Sequence, residues 1–221
     1  MNRRTLIGPA AADAARDFGV NSQAPCRVIV GISGASGTAY GAVALRLLRA
    51  VGIETHLVMT RSAMVTLAHE LPLKVREVQD FASAFHKIED IGACIASGSF
   101  RTMGMLVAPC SIRTLSDIAY GNTSNLLTRA ADVVLKGRRR LVLMVRETPL
   151  HLGHIRAMAQ ATEAGGVIMP PVPALYAKPR SIDEIIEHSV SRALDLFDLD
   201  TGKVRRWGED IGPDSITPEM A

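Results

Sequence analysis

The chain has 221 residues, of which 48% are hydrophobic and 21% are charged, and its formal net charge is +3 at pH 7. This length suits one domain with its own buried core, and the composition is that of a soluble globular protein. The mild charge argues against nucleic acid as a partner, and no apolar run reaches the roughly 18 residues that a membrane span needs.

The ends of the chain and its cysteines indicate where the folded domain lies. Residues 1–25 are rich in alanine and lack the hydrophobic core of a secretory signal, so we expect a flexible N-terminal extension. We expect one domain over 26–208 and a C-terminal tail over 209–221. The cysteines are odd in number and form no CxxC pair, which argues against disulfides and a zinc site and predicts a cytoplasmic location. They are Cys26, Cys94 and Cys110.

Strand and helix patterns alternate along the first half of the chain. They predict strands over 27–32, 53–60 and 103–108 and helices over 40–51 and 62–70. Between 71 and 102 the pattern is less regular and predicts a helix over 78–84 and a turn over 97–100. A loop over 109–114 then leads into a helix that ends near Ala119.

The second half continues this alternation. The predicted helices cover 126–136, 153–163 and 182–196, and the predicted strands cover 141–145 and 167–169. Three prolines make 170–176 a stiff loop. Strands that alternate with helices predict an α/β fold with a doubly wound, mostly parallel sheet.

Two predicted strands end in loops that are rich in small and hydroxyl residues. The spacing Gly31-x-x-Gly34-x-x-Gly37 places backbone N–H groups at a helix start beside the Ser36 hydroxyl, which suits a phosphate; a tight turn is the alternative. The pattern is not the dinucleotide GxGxxG, and Thr60 stands where an NAD-binding acid is expected, so NAD is disfavoured. The loop 109–114 repeats the arrangement, and the two loops together fit the two ends of one phosphorylated cofactor.

A third strand end carries opposite charges. The apolar run 141–145 ends at Arg146 and Glu147, and ligands bind at the carboxyl ends of strands in open α/β sheets. Burying such charges is costly unless they have a role. The pair indicates an anionic ligand beside a proton-transfer carboxylate, and the alternative is a strand-end ion pair.

Several other polar residues have simpler explanations. His151 and His154 have a metal-compatible spacing, but without a third ligand a polar helix start is favoured. Cys110 lacks the His-Asp pattern expected around a nucleophile. Tyr176 fits either a ligand cover or a core or interface position, and Trp207 is expected to dock onto another subunit. Three aspartates resemble a magnesium cluster, although a solvated helix end explains them as well: Asp195, Asp198 and Asp200.

Eight short motifs occur in a specific order between Arg27 and Trp207. They are Gly34-Ala-Ser-Gly37, Ser97-Gly-Ser-Phe100, Pro109-Cys-Ser-x-x-Thr114, Arg129-Ala-Ala-Asp132, Leu135-Lys136, Arg146-Glu-Thr-Pro-Leu150, Pro173-Ala-x-Tyr176 and Arg206-Trp207. With this combination the chain resembles the UbiX-like flavin prenyltransferases, formerly called aromatic acid decarboxylase small subunits. Val145 and Leu175 depart from the proline and phenylalanine that are common in the family.

The resemblance implies a fold and an activity. The fold is a Rossmann-like, flavodoxin-type three-layer sandwich, with 26–208 as a flavoprotein domain that assembles into a homododecamer and binds FMN at subunit contacts. The activity joins the dimethylallyl group of dimethylallyl monophosphate to N5 of reduced FMN and closes a ring onto C6. Prenylated FMN would pass to UbiD-type decarboxylases, and no metal would be needed.

The resemblance also implies roles for individual residues. The residues expected to bind FMN are Gly34, Ala35, Ser36, Thr60, Ser111, Ile112, Arg113, Thr114 and Arg146. Those expected to bind the substrate phosphate are Arg129 and Lys136, from a neighbouring subunit, with Tyr176 and Arg192. The expected catalytic residues are Glu147, which would manage protons, Ser36, and Glu70 near the prenyl group.

Elementary chemistry agrees with these roles. Phosphate leaves an allylic carbon more easily when cations hold its oxygens, and basic side chains supply that charge without a metal. A carboxylate such as Glu147 can take the proton released at ring closure. Two alternatives are a flavin-dependent cysteine-type decarboxylase, whose catalytic histidine and Pro-x-Met-Asn segment are missing here, and a non-catalytic FMN-binding subunit of a decarboxylase.

Overall fold

The computed structural model of the chain describes residues 26–212. Six strands form one sheet in the order β3-β2-β1-β4-β5-β6, and all neighbouring strands are parallel. The strands are β1 (Arg27–Ile32), β2 (Glu54–Met59), β3 (Ala84–His86), β4 (Gly104–Cys110), β5 (Arg140–Val145) and β6 (Gly166–Ile168). The expected extension over 1–25 and the end of the expected tail, 213–221, lie outside the described residues.

Helices cover both faces of the sheet. They are α1 (Thr38–Ala50), α2 (Arg61–Glu70), α3 (Val75–Gln79), α4 (Ile112–Ala119), α5 (Leu126–Lys136), α6 (Leu152–Glu163) and α7 (Ile182–Asp195). Short 3₁₀ turns lie at Cys94–Ala96 and Leu175–Ala177. Within residues 26–212, none of these helices combines the length and apolar character that crossing a membrane requires.

The side chains of each strand alternate between two cores. On β1, Val28 and Val30 pack on the face covered by α1, α2 and α7, whereas Ile29 packs on the face covered by α4, α5 and α6. This alternation follows from the two-residue period of a strand. The three layers confirm the predicted α/β fold and place α5 and α7 on opposite faces of the sheet.

The strand order reverses between β1 and β4. The chain adds β2 and β3 on one side of β1 and then β4, β5 and β6 on the other. In open α/β sheets, ligands bind in the crevice outside the carboxyl ends of the strands at such a reversal. The fold therefore directs attention to the loops that follow β1 and β4.

The segment 71–102 differs from the prediction. The helix expected over 78–84 lies earlier, as α3, and Ala84 already belongs to the edge strand β3, which was missed. None of the three residues of β3 is fully buried, so this strand lacks the apolar run that revealed the others. The other predicted helices and strands are present, with ends shifted by no more than about two residues.

Candidate functional site

A buried serine ties together the loops that follow the central strands. Ser33 comes directly after β1, and its hydroxyl donates to the Pro109 carbonyl oxygen at 2.9 Å and accepts from the Ser111 N–H at 2.7 Å. The Ser33 N–H donates to the same Pro109 oxygen at 3.2 Å. The Arg146 N–H, after β5, donates to the Cys110 carbonyl oxygen at 3.0 Å. The loops after β1, β4 and β5 are therefore fixed to one another.

The start of α1 is capped by a carboxylate from the end of α2. Glu70 accepts from the N–H groups of Gly37 and Thr38, each at 2.9 Å, and from the Thr38 hydroxyl at 2.8 Å. Burial raises the pKa of Glu70, but these hydrogen bonds and one from Ser36 outweigh it, so the pKa is lowered overall. Because the Gly37 and Thr38 N–H groups already donate to Glu70, neither is available to donate to the phosphate that was expected at this helix start.

A cavity of about 320 Å³, lined mostly by residues with polar or charged side chains, opens at the carboxyl ends of β2 and β4. Two helix starts form its walls: Thr60 caps α2 by accepting from the Ala63 N–H at 3.1 Å, and Ser111 caps α4 by accepting from the Thr114 N–H at 3.3 Å. Helix starts carry partial positive charge and unpaired N–H groups, so this space suits an anion. The lining residues are Thr60, Arg61, Ser62, Ile88, Ser111, Arg113, Thr114, Asp117 and Asn125.

The other predicted FMN ligands are not among the residues that line this cavity. Gly34 touches its wall, because a Cβ on Gly34 would overlap the Ser62 side chain. Ala35 is buried, Ser36 is exposed, and the half-buried Ile112 is not among the lining residues. The structure thus brings Gly34 together with four predicted ligands of the cavity: Thr60, Ser111, Arg113 and Thr114.

The charges that follow β5 do not form an ion pair. Across residues 26–212, the exposed Arg146 side chain has no carboxylate partner, and Glu147 has no cationic one. The Glu147 carboxylate accepts the Thr148 N–H at 3.0 Å. Arg146 lies close to Tyr40: burial raises the pKa of Tyr40, and the Arg146 cation opposes that rise. The strand-end ion pair is therefore wrong, and both charges are available to a ligand.

Two of the predicted phosphate ligands meet on the α7 face. Tyr176 and Arg192 line one cavity of about 150 Å³, beside the prolines of the 170–176 loop. The Tyr176 ring makes edge contacts with His188 and Trp207, with ring centroids 6.0 and 5.9 Å apart. The Arg192 guanidinium donates to the Asp195 carboxylate at 2.8 Å.

The other two predicted phosphate ligands lie on α5. Arg129 pairs with Asp132 at 3.1 Å, and the exposed Lys136 ends the helix. Because α5 and α7 pack on opposite faces, the sheet separates Arg129 and Lys136 from Tyr176 and Arg192 of the same chain. A single chain does not bring the four side chains together.

Two of the three aspartates near the end of α7 are paired with arginines. Asp195 accepts from Arg206 through both carboxylate oxygens, at 3.1 and 3.0 Å, as well as from Arg192. Asp200 lies 3.7 Å from the same Arg206 guanidinium. Cation pairing therefore explains the cluster better than magnesium.

Two further alternatives also find structural explanations. The His151 imidazole caps α6 by accepting the Gly153 N–H at 3.0 Å and lies against the tilted ring of His154, so this pair is a polar helix start. Burial raises the pKa of the Cys110 thiol, which keeps it protonated and unsuited to act as a nucleophile.

Sequence reasoning missed several residues around the site, among them Ser33, Tyr40, Ser62, Asp117 and Asn125. Ser33 and Ser62 follow the ends of β1 and β2 closely, so hydroxyls at strand ends were a usable signal. Tyr40, Asp117 and Asn125 gave no such signal, because helix packing decides whether they approach the loops.

Comparisons with known proteins agree with this geometry. A family model described as Flavoprotein matches residues 20–194. Flavin prenyltransferase UbiX of Neisseria meningitidis serogroup B is 59% identical over 181 residues, which cover 82% of this chain and 96% of the relative.

Two crystal structures are similar over most of the chain. One is AnUbiX (PadA1) in complex with FMN and dimethylallyl pyrophosphate, with a TM-score of 0.81, 49% identity and coverage of 82% of this chain and 97% of the other. The second is a dodecameric FMN-dependent UbiX-like decarboxylase from Escherichia coli O157:H7, with a TM-score of 0.80, 44% identity and coverage of 82% and 98%.

Proposed function

The chain belongs to the UbiX family of flavin prenyltransferases, and on this premise we propose that it prenylates reduced FMN with dimethylallyl monophosphate. In the first step the flavin N5–carbon bond forms, phosphate leaves with the electrons of the broken C–O bond, and the proton on N5 is released. In the second step a proton adds to the prenyl double bond, the bond to C6 forms and the C6 proton leaves. The observation that carries this proposal is that Arg146 and Glu147, directly after β5, have no ion-pair partner among residues 26–212, while the Arg146 N–H ties this strand end to the end of β4.

The carboxyl edge of the sheet fits FMN. We assign the FMN phosphate to the cavity between Thr60 and Ser111, because hydroxyls, two helix starts and Arg113 favour a dianion there. Gly34 allows the loops after β1 and β2 to approach closely at its border. The remaining proposed contacts to FMN come from Ala35, Ser36, Ile112, Thr114 and Arg146.

The substrate phosphate is assigned to a site shared between subunits. Tyr176 and Arg192 of one subunit meet Arg129 and Lys136 of another, which explains why the sheet separates the two pairs within a chain. Together these cations stabilise the charge on phosphate as it leaves, so no metal is needed in this step. The relative from Escherichia coli O157:H7 is dodecameric, and we propose the same homo-oligomer here.

Exposed apolar side chains around Tyr176 support this assembly. Val172, Leu175 and Trp207 are 74%, 73% and 62% exposed in the single chain. Clusters of exposed apolar side chains mark protein–protein contacts. We therefore assign this surface to the subunit interface and Trp207 to docking there, beside the substrate phosphate.

Glu147 is the proposed base for the C6 proton. Its carboxylate has no cationic partner among the described residues, so it is free to exchange a proton with the flavin. Ser36 and Glu70 act differently: since Glu70 holds the start of α1 and accepts from Ser36, both position the loop that borders the prenyl group.

The product and the domain limits complete the proposal. Prenylated FMN would serve a UbiD-type decarboxylase in the cytoplasm, with 26–208 as the catalytic domain between the extension over 1–25 and the tail over 209–221. The high identity to named flavin prenyltransferases favours this activity over a cysteine-type decarboxylase or a non-catalytic subunit.

The direct test is mass spectrometry of the flavin. The protein is incubated without oxygen with reduced FMN and either dimethylallyl monophosphate or the diphosphate held by the AnUbiX crystal. We expect one added prenyl group and release of inorganic phosphate with the monophosphate. If product forms only with the diphosphate, the diphosphate replaces the monophosphate as the assigned substrate. If the flavin mass stays unchanged with both compounds, the proposed function is overturned.

A further inference from the structure

A second group of chemically reactive side chains lies on the β2–β3 edge of the sheet, away from the flavin cavity. His56 Nδ1 and His86 Nε2 are 2.9 Å apart, and Cys94 Sγ lies 3.9 Å from the same His56 nitrogen. Their three ligand atoms lie within 4.8 Å of one another, and no other such group of three occurs in residues 26–212. We propose that His56, His86 and Cys94 bind a zinc ion that fastens β3 and the 94–96 turn to β2.

The donor atoms and their spacing suit zinc. Two imidazole nitrogens and one thiolate are ligands that zinc prefers, with a water in the fourth position. Tetrahedral zinc with ordinary bond lengths separates two nitrogens by about 3.3 Å and a nitrogen from a sulfur by about 3.6 Å. The observed separations of 2.9 and 3.9 Å lie on either side of these values, so small side-chain rotations are sufficient.

A carboxylate orients the central ligand. Glu54 lies 2.9 Å from His56 Nε2, and since an ionised carboxylate only accepts, the neutral His56 ring carries its proton there. The lone pair of Nδ1 therefore points into the cluster. Arg27 fixes Glu54 in turn through a 2.7 Å ion pair. This carboxylate–histidine arrangement is typical of the outer partners that hold metal-binding histidines.

Burial supports the same assignment. His56 is only 5% exposed, whereas the Cys94 residue is exposed, so the site has a rigid inner ligand and an accessible outer one.

Zinc binding changes the protonation of this cluster in a defined way. The Cys94 thiol loses its proton to solvent, and the His86 proton moves from Nε2 to Nδ1, so about one proton is released per ion. The ion would replace the hydrogen bond between the two imidazoles and join β2, β3 and the 94–96 turn. The short strand β3 pairs with only three residues of β2, so a clamp there would stabilise this edge of the sheet.

Cobalt absorption provides the test, since a thiolate bound to Co²⁺ gives a charge-transfer band. Chelator-treated full-length protein is titrated with Co²⁺ and then with Zn²⁺. We expect saturation at one ion per chain, loss of the band in Cys94→Ala, and a band of normal intensity in the controls Cys26→Ala and His154→Ala. Glu54→Gln should weaken zinc binding about 10- to 100-fold in calorimetry.

Two results would overturn the zinc site. One is a wild-type protein without a thiolate band, and the other is a band that persists in Cys94→Ala. Zinc should raise the melting temperature of the wild type but not of Cys94→Ala. FMN binding should be unchanged in Cys94→Ala, so failure of the zinc site and failure of the flavin proposal are separate outcomes.

Discussion

The flavin half and the phosphate half of the candidate active site are built differently. In the flavin half, Ser33 joins the segments that follow β1 and β4, and the Thr60 N–H ties the end of β2 to the Ile32 carbonyl oxygen, all within one chain. In the phosphate half, Arg129 and Arg192 lie on opposite faces of the sheet. The fold of one chain therefore organises the flavin site, whereas the cations that favour phosphate departure converge only when chains assemble.

The largest effect should come from Glu147→Gln, which tests whether Glu147, after the end of β5, removes the flavin C6 proton. Phosphate departure needs cations, so prenyl attachment to N5 should continue, whereas ring closure should slow by about 10²- to 10⁴-fold. Mass spectrometry measures attachment, and loss of the flavin C6 proton signal in NMR measures ring closure. Glu163→Gln, at the end of α6, is the control; equal ring-closure rates in the two variants would remove Glu147 from its role.

The second effect addresses the split phosphate half. Arg129→Ala and Arg192→Ala should each slow prenyl transfer by about 10²- to 10³-fold, because each removes a cation that stabilises the leaving phosphate. Oligomers assembled from both variants together should regain activity at about a quarter of their sites, where an intact Arg129 meets an intact Arg192. Arg46→Ala should keep full activity. If mixing restores nothing, the two arginines do not share a site across subunits.

The third prediction sharpens the claim that one chain organises the flavin half. Ser33→Ala leaves the half-buried Ser111 N–H without its partner and removes one of the two donors to the Pro109 carbonyl oxygen, which should lower the free energy of unfolding by about 1–3 kcal/mol. FMN affinity should fall with it, because the Ser111 loop loses its anchor. Urea unfolding and calorimetry provide the measurements. A loss no larger than in the exposed control Ser99→Ala would show that these loops do not depend on Ser33.

The smallest effect concerns pH and Glu70. Its pKa is lower in the folded protein than the ordinary 4.5, so its contribution to stability is complete above that value and is lost as the pH falls through the folded pKa. Glu70→Gln should therefore lower the urea midpoint at pH 7 and flatten its decline below about pH 4.5. Glu163→Gln should keep the wild-type slope. Identical pH profiles for Glu70→Gln and the wild type would contradict the capping role.

The sequence by itself determined five of the six described strands, most of the helices and the polar residues that directly follow the strands. These features are local: buried runs reveal β1, β4 and β5, and hydroxyls directly after strands, such as Thr60 and Ser111, identify helix caps. The ordered motifs were also enough to assign the family. Such features are accessible because hydrophobic period and capping depend on neighbouring residues.

Only the tertiary structure decided which distant residues meet. Glu70 caps a helix 32 residues earlier, so the N–H groups that suited a phosphate are already paired. His86 and Cys94 follow His56 by 30 and 38 residues in the sequence, so the argument from cysteine spacing did not detect this cluster. The separation of Arg129 from Arg192 likewise depends on which face each helix covers. Contacts of this kind are set by strand order and helix packing, which no local pattern encodes.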